Sequence, residues 1–549
     1  MSFSFKHPYP IDTAYQKLVA YFCMEYAIHQ PLKTYSGGLG YLAGSYMRSS
    51  YELGQNMIGI GILWKYGYYD QGRKDNQSMS VTFQEKIYHF LIPTEIKFTI
   101  MISGHKVWVT AFYLPPELFK TAPLFFLTTD LPENDYLART TCHKLYDCNP
   151  EARTAAAILL GEGGARLLEE LNVQPDIFHL NESHALPLAF YLYRKLGSIE
   201  QVKNKLVFTN HTPESSGNLK SDLFLLSRMG FWGDIPVEQV RKLTQCQGDT
   251  LDHTLTALLF SGRANAVSKI HLSTLKEMWR DEKDICELIS ITNAQSYSYW
   301  ADKRMFRFLN THNDRALIKE KRKYKRLLFE EVADQCGVIL DPQILTIVFA
   351  KRFAGYKRAE LMLHDMALLH NLLTDKKRPI QIIWAGKPYP LDYEAITSFD
   401  KIVNLCRSYP NCAILVGYEL RLSRLLKQGA DIWLNTPRLT HEASGTSGMS
   451  AAMNGCINVS TPDGWFPEFS NDGVNSFVIP NTEVTEHKFQ QDETDAHNLY
   501  SLLEKTIIPM YYDAHDQWMS IVKNSMHTIR FDYDSNRMAK EYYENLYTL

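Results

Sequence analysis

The sequence predicts an α/β protein with two domains that contain parallel sheets. The chain has 549 residues, which is more than one hydrophobic core usually accommodates. Short apolar runs alternate with helical patterns along both halves, as in parallel α/β sheets. Polar or glycine-rich clusters follow several of these runs, and the carboxyl ends of parallel strands are where α/β proteins bind ligands. The fold class therefore also indicates where to look for a site.

In the first half, a strand is predicted at residues 18–23, before the glycine cluster Ser36-Gly37-Gly38-Leu39-Gly40 and a helical pattern. Strand, glycine turn and helix together form the unit that builds parallel sheets. The apolar run at 57–64 is interpreted as a buried strand. Two further apolar runs, at 177–180 and 206–208, lead into the polar clusters 181–184 and 209–212.

In the second half, strand and helix alternate more regularly. Strands are predicted at residues 345–350, 380–385, 413–416, 432–434 and 456–459, with helices at 359–373 and 420–427 between them. A charged helix is expected from Asn313 onward, and a helical, aromatic tail over 506–549. We therefore predict a first domain over 1–297, a second over 298–505 and a tail over 506–549.

Composition and charge exclude several classes of protein. Hydrophobic residues make up 45% of the chain and charged residues 22%, as in globular proteins. The net charge of -3 gives no overall attraction for nucleic acid or acidic lipid. The basic run 319–326 is interpreted as a solvated helix face, because Glu320, Glu330 and Glu331 accompany it.

The sequence also predicts a cytoplasmic protein. The N-terminus has no signal pattern, and the apolar run at 57–64 is too short to span a bilayer. The nine cysteines lack the spacing of metal ligands, which favours reduced thiols. We therefore expect no metal, no nucleic-acid partner and no membrane insertion, and whether the chain forms a homodimer stays open.

Two clusters are candidates for anion binding. The glycine turn before a helix lets backbone N–H groups approach an anion. The segment 351–358 carries four cations directly after a predicted strand, and its Arg352 and Lys357 are suited to hold a phosphate. The alternative for the glycine cluster is a tight turn only, and the alternative for the basic segment is a solvated loop only. For the basic segment, the position at a strand end favours anion binding.

The third cluster is the run His441-Glu442-Ala443-Ser444-Gly445-Thr446-Ser447-Gly448-Met449, which follows the predicted strand at 432–434. Its small residues expose backbone N–H groups, and a helix is expected to start near Gly448, so the run is a second anion cradle. Glu442 is placed to accept hydrogen bonds from sugar hydroxyls.

This third cluster resembles the signature of the α-glucan phosphorylases that act on glycogen, starch and maltodextrin, specifically of their short bacterial branch. Further segments align in order: Glu25 with 35–40, and 64–71, 180–184, 209–213, 291–293, 349–358, 385–387 and 431–464. The resemblance implies two Rossmann-like domains facing a cleft, the GT-B glycosyltransferase architecture. It also implies that the last helices return to the first domain.

The resemblance implies transfer of glucose between the non-reducing end of an α-1,4-glucan and phosphate, with retained configuration and no protein nucleophile. The first domain would bind the glucan and the second the phosphate-bearing donor. Carried over by position, the catalytic residues are His211, Arg352, Lys357 and Glu442. The implied substrate and phosphate contacts are Gly38, Leu39, Gly40, Asn293, Ser444, Gly445 and Thr446.

One position departs from the family pattern. Family members that hold pyridoxal phosphate have a lysine after the methionine of the signature, and here that position is Ser450. Only an amine condenses with the aldehyde of this cofactor, so covalent attachment at Ser450 is not expected. A neighbouring lysine could substitute, although none occurs between Lys427 and Lys488.

Three functional hypotheses remain at this stage. Phosphorolysis is favoured by the resemblance. Synthesis of α-glucan from ADP- or UDP-glucose is favoured by Ser450, since a nucleotide diphosphate brings a second phosphate, and Lys33 before the glycine turn is similar to the loop of glycogen synthases. A glucan-binding pseudo-enzyme ranks below both, because Arg352, Lys357, Glu442 and His211 are all retained.

Overall fold

The computed structural model describes residues 3–480 and 487–549. Its contacts divide the chain into two units. The first comprises Met1–Tyr69, Phe83–Asn293 and Ser535–Leu549, and the second comprises Asp70–Thr82 and Ala294–Asp534. This division falls four residues before the boundary expected at 297/298, and it assigns residues 506–534 of the expected tail to the second unit.

The strands are mostly short, and most of those in the two large sheets are buried along their whole length. In chain order they are β1 (Val19–Phe22), β2 (Met57–Ile62), β3 (Asp70–Arg73), β4 (Met79–Thr82), β5 (Ile92–Ile102), β6 (His105–Leu114), β7 (Leu124–Thr128), β8 (Ile177–Asn181), β9 (Leu206–Thr209), β10 (Lys220–Asp222), β11 (Thr250–Asp252), β12 (Arg263–Ala266), β13 (Glu287–Ser290), β14 (Leu345–Ala350), β15 (Ile380–Ala385), β16 (Cys412–Leu415), β17 (Ile432–Asn435), β18 (Ile457–Ser460) and β19 (Phe477–Val478).

Helices connect these strands and follow the last of them. They are α1 (Gly38–Glu52), α2 (Pro116–Phe119), α3 (Tyr136–Arg139), α4 (Pro150–Ile158), α5 (Gly164–Glu170), α6 (Pro187–Leu196), α7 (Ile199–Lys203), α8 (Leu223–Met229), α9 (Val237–Thr244), α10 (His253–Phe260), α11 (Lys269–Met278), α12 (Tyr297–Trp300), α13 (Lys303–Asn310), α14 (Asp314–Cys336), α15 (Met366–Thr374), α16 (Tyr393–Ser408), α17 (Leu420–Gly429), α18 (Ser447–Ala452), α19 (Phe466–Phe469), α20 (Lys488–Leu502), α21 (Ile508–Asp513), α22 (His515–Asp532) and α23 (Ser535–Glu541).

The first unit contains one sheet in the order β13-β12-β9-β8-β1-β2-β7-β6-β5. The strands from β13 to β7 run parallel, and β6 and β5 pair antiparallel at one edge. After β1 the chain builds outward through β2, and it later returns to add β8 on the other side. The strand order therefore reverses between β1 and β8, where open α/β sheets bind ligands.

The second unit contains a parallel sheet in the order β16-β15-β14-β17-β18-β19. Its order reverses between β14 and β17. The fold class predicted from the sequence, α/β with parallel sheets in two units, is thus confirmed. Both basic and glycine-rich candidate clusters follow the strands that flank a reversal: β1 in the first sheet, β14 and β17 in the second.

The C-terminal residues divide between the units for a packing reason. In the first unit, Tyr46 and Tyr547 share a hydroxyl–hydroxyl hydrogen bond of 2.7 Å, and α23 packs on α1. In the second, α22 packs on α18 and β18, and its Val522 and Met526 are buried.

The basic run 319–326 is not uniformly a solvated face, contrary to our expectation. Lys325 is 1% exposed, and its Nζ lies 2.5 Å from Oδ2 of Asp431 and 2.6 Å from the carbonyl of Ile344. The pair fixes α14 against the start of β17. In the described residues, none of the helices combines the length and hydropathy needed to cross a membrane.

Candidate active site

A buried carboxylate shapes the glycine turn of the first unit. Glu25, 2% exposed, accepts hydrogen bonds from the N–H groups of Ser36 (2.7 Å) and Gly37 (3.0 Å) and from the Ser36 hydroxyl (3.0 Å). The Tyr146 hydroxyl donates to the other side of the same carboxylate, at 2.5 Å. These bonds fix the turn just before α1.

Helix α1 begins at Gly38, so the N–H groups of Gly38, Leu39 and Gly40 lie in its first turn, where a helix supplies no carbonyl partners. A Cβ on Gly38 would meet nothing within 4 Å, whereas one on Gly40 would lie 2.7 Å from Cβ of Tyr35 and 2.9 Å from Oε2 of Glu25. Gly40 therefore permits close packing, and Gly38 borders open space.

His211 follows β9 and is held by neighbours on β8. Its Nε2 lies 2.8 Å from Oδ1 of Asn181, and its backbone N–H donates to Oε1 of Glu182 at 2.5 Å. Burial, with smaller contributions from His271 and His184, lowers the pKa of His211 to about 3. The ring is therefore neutral near pH 7, with Nε2 as the donor to Asn181 and Nδ1 as an acceptor suited to a sugar hydroxyl.

Glu182 is a site residue that the sequence analysis did not single out, although it noted the polar cluster 181–184. Its φ of 68° is in the left-handed region, which non-glycine residues rarely adopt. Its carboxylate also accepts from the Thr212 hydroxyl at 3.2 Å. Burial raises the pKa of Glu182, and the hydrogen bonds from His211, Ser183 and Thr212 oppose the shift.

Asn293 follows β13 and is the last residue of the segment Phe83–Asn293 of the first unit. Its backbone N–H donates to the carbonyl of Val267 at 3.0 Å, and the residue is 3% exposed. Its side-chain oxygen is buried without a donor among the described residues. A buried amide oxygen without a donor is costly, so a ligand hydroxyl that donated to it would remove the penalty.

In the second unit, the basic loop (residues 351–358) follows β14. The Lys351 N–H donates to the Ala385 carbonyl at 3.1 Å, and a Cβ on Gly386 would approach the Lys351 carbonyl to 1.9 Å. Arg352 is exposed. Arg358 is buried instead, where it donates to two carbonyls and to the carboxylates of Asp492 and Asp495, so its role is to anchor the loop.

Lys357 and Glu442 join the loops that follow β14 and β17. The Lys357 Nζ lies 2.6 Å from Oε2 of Glu442, and each side chain is 13% exposed. Burial opposes the charge of both, but Lys357 and Lys351 lower the pKa of Glu442, and Glu442 raises that of Lys357. Both members of the pair are therefore ionised at neutral pH.

Lys351 adds a second buried cation to this pair. It is 7% exposed, and burial together with Lys357 lowers its pKa well below the usual value, while Glu442 opposes the shift. Two lysines thus compete for the carboxylate of Glu442, and the exposed Arg352 adds further positive charge. An anion bound here would relieve the repulsion between the two lysines and raise the pKa of Lys351 toward its usual value.

Asp463 holds the backbone of Glu442 in place. It is 2% exposed and accepts hydrogen bonds from the N–H groups of Glu442 (2.8 Å) and Gly464 (2.9 Å). Burial raises the pKa of Asp463 to about 7, and the charge of Glu442 adds to the shift. This aspartate was missed by sequence reasoning because nothing in the local pattern distinguishes it from a turn residue.

The remaining predicted residues lie between Glu442 and α18. Ser444 is 4% exposed, and its hydroxyl is buried without a partner among the described residues. Gly445 has a φ of 83°, and Thr446 is the N-cap residue of α18. Ser450 is fully buried, and its hydroxyl donates back to the Ser447 carbonyl at 3.2 Å.

The structure thus assigns the predicted residues to two sets. Gly38, Leu39, Gly40, His211 and Asn293 belong to the first unit, and the residues from Arg352 to Ser450 belong to the second. The first set offers neutral donors and acceptors, and the second an excess of buried positive charge. The former suits sugar hydroxyls and the latter suits a phosphate.

Two family models and several named proteins are similar to this chain. Residues 284–547 match the family model described as carbohydrate phosphorylase, and residues 19–284 match the starch synthase catalytic domain. An uncharacterised protein of Methanocaldococcus jannaschii is 45% identical over 97% of this chain and all of its own length. The maltodextrin phosphorylase of Thermococcus litoralis is 32% identical, over 97% of this chain and 71% of that protein.

The chain belongs to the carbohydrate phosphorylase family. The glycogen phosphorylase of Mycobacterium bovis is a more distant relative, 28% identical over 96% of this chain and 70% of its own length. Membership supports an enzyme of the glycosyltransferase type in carbohydrate metabolism, related to glycogen phosphorylases. It also confirms the family that the signature around Glu442 predicted.

Proposed function

We propose that the protein is a retaining glucosyltransferase that moves glucosyl units between the non-reducing end of an α-1,4-glucan and a phosphate-bearing group. The first unit binds the glucan and the second binds the phosphate. Two relatives that are named as maltodextrin and glycogen phosphorylases support the substrate class.

The observation that carries the proposal is that two lysines share one carboxylate, that of Glu442. Lys351 and Lys357 both face it, and Lys357 is paired with it in a largely buried position. Two lysines and one carboxylate are expensive to bury together, so a chain that retains them has a use for them. A phosphate dianion is the ligand whose charge and acceptor number fit.

In the proposed reaction, these residues bind and orient without attacking the sugar. In the second unit, Arg352 and Lys357 hold the phosphate; in the first unit, the N–H groups of Gly38, Leu39 and Gly40 donate hydrogen bonds to the substrate. His211, Asn293, Glu442, Ser444, Gly445 and Thr446 hold sugar hydroxyls. Holding the phosphate on the same face as the bond it replaces gives retention of configuration, and the cations stabilise the charge that develops on that face.

A second candidate is synthesis of α-glucan from ADP- or UDP-glucose. The match of residues 19–284 to the starch synthase catalytic domain favours it, as does the serine at position 450. A nucleotide diphosphate would then supply both phosphates to the same cationic loop. A pseudo-enzyme is disfavoured because the charged residues around Glu442 are costly to keep buried.

The second unit fits pyridoxal phosphate, the cofactor of the family, only in part. Ser450 offers only a hydroxyl, which is bonded within its own helix turn. The surplus cations Lys351 and Lys357 do fit a phosphate, and the unit contains another buried lysine, Lys427. When bound, the cofactor would supply a second phosphate beside the substrate phosphate.

A donor panel tests the proposal. The purified protein is incubated with glycogen and inorganic phosphate, with and without pyridoxal phosphate, and in parallel with ADP-glucose or UDP-glucose. Glucose 1-phosphate in the first arm supports phosphorolysis, and lengthened glucan in the second supports the nucleotide-sugar reaction. If neither product forms in any arm, the proposed function is contradicted. A cytoplasmic location stays a prediction, and whether the chain forms a homodimer stays open.

A further inference from the structure

A cavity of about 50 Å³ lies within the second unit, and no residue placed in the proposed reaction lines it. Helix α14 forms one side with Lys321, Arg322 and Lys325, and helix α22 forms another with Trp518 and Val522. In both helices the lining residues are spaced three or four apart, so each helix turns a single face toward the cavity. The cavity is therefore a gap between two helix faces.

The lining of this cavity carries an excess of positive charge. Among the described residues that line it, Lys321, Arg322 and Lys325 are cationic, and Asp431 is the one carboxylate. Asp431 is already committed, because its Oδ2 accepts from Nζ of Lys325 at 2.5 Å. Asp341 also acts on Lys325 but does not line the cavity. Two cations of the lining are thus left over.

The two remaining cations, Lys321 and Arg322, have only neutral neighbours as hydrogen-bond acceptors or none. Lys321 is half-buried, and its Nζ donates to the carbonyl of Asn454 at 3.0 Å. Arg322 is exposed, and it forms no ion pair within the part of the chain that the structure describes. Burial raises the pKa of Tyr511, another lining residue, and the charge of Arg322 opposes this shift. The charge of Arg322 is therefore felt inside the cavity.

The side of the cavity formed by α22 is apolar and aromatic. Trp518, Met519 and Val522 line it and are all buried. The ring of Tyr511 packs edge-on against that of Trp518, with the ring centroids 5.2 Å apart. A ligand that fills the cavity therefore needs an anionic end for α14 and a hydrocarbon end for α22.

The volume of the cavity restricts the ligand to a small molecule. A cavity needs about 10–15 Å³ to hold one water molecule, which takes up about 30 Å³ of the liquid. The 50 Å³ cavity thus holds the equivalent of about three to five waters, or about 90–150 Å³ of ligand. A carboxylate with a short hydrocarbon chain fits this volume, whereas a nucleotide or an oligosaccharide is far larger. The planar carboxylate also matches the guanidinium fork of an arginine.

We propose that this cavity is a second binding site of the protein, and that it takes a small organic carboxylate with a short apolar tail. Arg322 and Lys321 hold the carboxylate, and the tail lies against Trp518 and its neighbours on α22. The ligand joins α14 to α22, which the ion pair of Asp314 and Lys523, at 2.7 Å, already connects. The site does not depend on the proposed reaction.

Calorimetry on the full-length chain tests the proposal, with butyrate as the probe and butyramide as its uncharged counterpart. The two molecules have nearly the same shape and differ in charge. We expect butyrate to bind and butyramide to bind at least about tenfold more weakly, because a charge-assisted hydrogen bond is worth at least about a tenfold change in binding. Equal binding of the two, or no binding of butyrate, overturns the proposal.

Three variants assign the binding to this cavity. Arg322→Gln removes an exposed guanidinium and should weaken butyrate binding at least about tenfold. Arg326→Gln is the matched control, because Arg326 is an exposed arginine one turn further along α14 that does not line the cavity. Arg352→Ala separates this site from the basic loop. Both should bind butyrate like the unaltered chain. Unchanged binding in Arg322→Gln, or weakened binding in either of the other two, overturns the proposal.

Chemical labelling locates the site in the unaltered chain and does not depend on how a variant folds. Phenylglyoxal modifies exposed arginines, and peptide mass mapping gives the rate at Arg322 and at Arg326. Butyrate should slow the modification of Arg322 but not that of Arg326, and butyramide should slow neither. An unchanged rate at Arg322 overturns the proposal. The donor panel measures a different site, so failure here and failure of the proposed function are seen separately.

Discussion

The two sheets place their polar residues at the same topological point and give them opposite electrostatic character. At the reversal between β1 and β8, burial holds His211 and His184 neutral, with pKa values of about 3 and about 4. At the reversal between β14 and β17, Lys357 and Glu442 are both ionised, and Lys351 adds repulsion. The first edge offers neutral hydrogen-bonding groups, and the second carries ionised groups.

This contrast shows that a shared architecture sets where a ligand binds, and the loop residues set which ligand it is. The same doubly wound topology supports a site of neutral hydrogen-bonding groups in one unit and a cationic site in the other. Changes in the second unit should therefore act on phosphate binding and on stability through charge. Changes in the first should act on glucan binding.

The largest effect is expected from breaking the ion pair in the second unit. Lys357→Ala leaves Glu442 buried and ionised, which should lower the free energy of unfolding by about 3–5 kcal/mol. Chemical denaturation measures it. Adding Glu442→Gln should restore much of the stability but not phosphate binding. Lys401→Ala, which removes a more exposed pair with Glu360, is the control and should cost less than about 1 kcal/mol.

Asp463 should make stability depend on pH in the second unit. Its pKa is raised from 3.8 to about 7 in the folded chain, so the folded state binds the proton more tightly than the unfolded one. The stabilisation is complete below the unfolded pKa and is lost as the pH rises toward 7, at up to about 1.4 kcal/mol per pH unit. The free energy of unfolding, measured by denaturation at several pH values in this range, should depend less on pH in Asp463→Asn than in the unaltered chain. An unchanged slope would contradict the assignment.

Arg352→Ala should weaken phosphate binding in the second unit without affecting glucan binding in the first. Charge-assisted contacts to phosphate are worth about 1.5–3 kcal/mol each, so binding of inorganic phosphate, measured by calorimetry, should weaken at least about tenfold. His211→Ala in the first unit should leave phosphate binding intact and weaken glucan binding. If Arg352→Ala binds phosphate normally, Arg352 does not hold the phosphate.

The smallest effect concerns the glycine turn. A Cβ on Gly38 meets no atom within 4 Å, so Gly38→Ala should raise the free energy of unfolding by about 0.4–1 kcal/mol through the unfolded chain. The same methyl group should reduce ligand binding, because it projects where a ligand would lie. Gly44→Ala is the contrasting variant: its Cβ would lie 2.2 Å from the Ala27 carbonyl oxygen, and it should be strongly destabilised.

The buried parallel strands were predictable because continuous apolar runs identify them. Predicted strands at 18–23, 177–180, 345–350 and 432–434 match β1, β8, β14 and β17 to within one residue at either end. The antiparallel edge strands β5 and β6 were not predicted, since exposed and buried residues mix along them. The helix expected at 359–373 begins only at Met366, where Asp365 caps α15 through two backbone N–H groups.

The candidate site was predictable where residue type carries the signal, and not where burial does. Lys357 and Glu442 were both predicted, and the structure pairs them. The sequence could not show that Lys325, Lys351 and Lys427 are buried, because a lysine reads as a surface residue until long-range packing is known.

The chain's repeated passage between its two units has a consequence for its synthesis. The hairpin β3–β4 belongs to the second unit, where the Gln71 side chain bonds the Gly386 carbonyl and the Gly417 N–H. That hairpin leaves the ribosome long before its partners are made. The first unit, in turn, needs the fully buried Tyr547, which is made only after residues 294–534 of the second unit. Each core is therefore finished only by a segment made long after its first residues, and the folding of each unit has to wait for that segment.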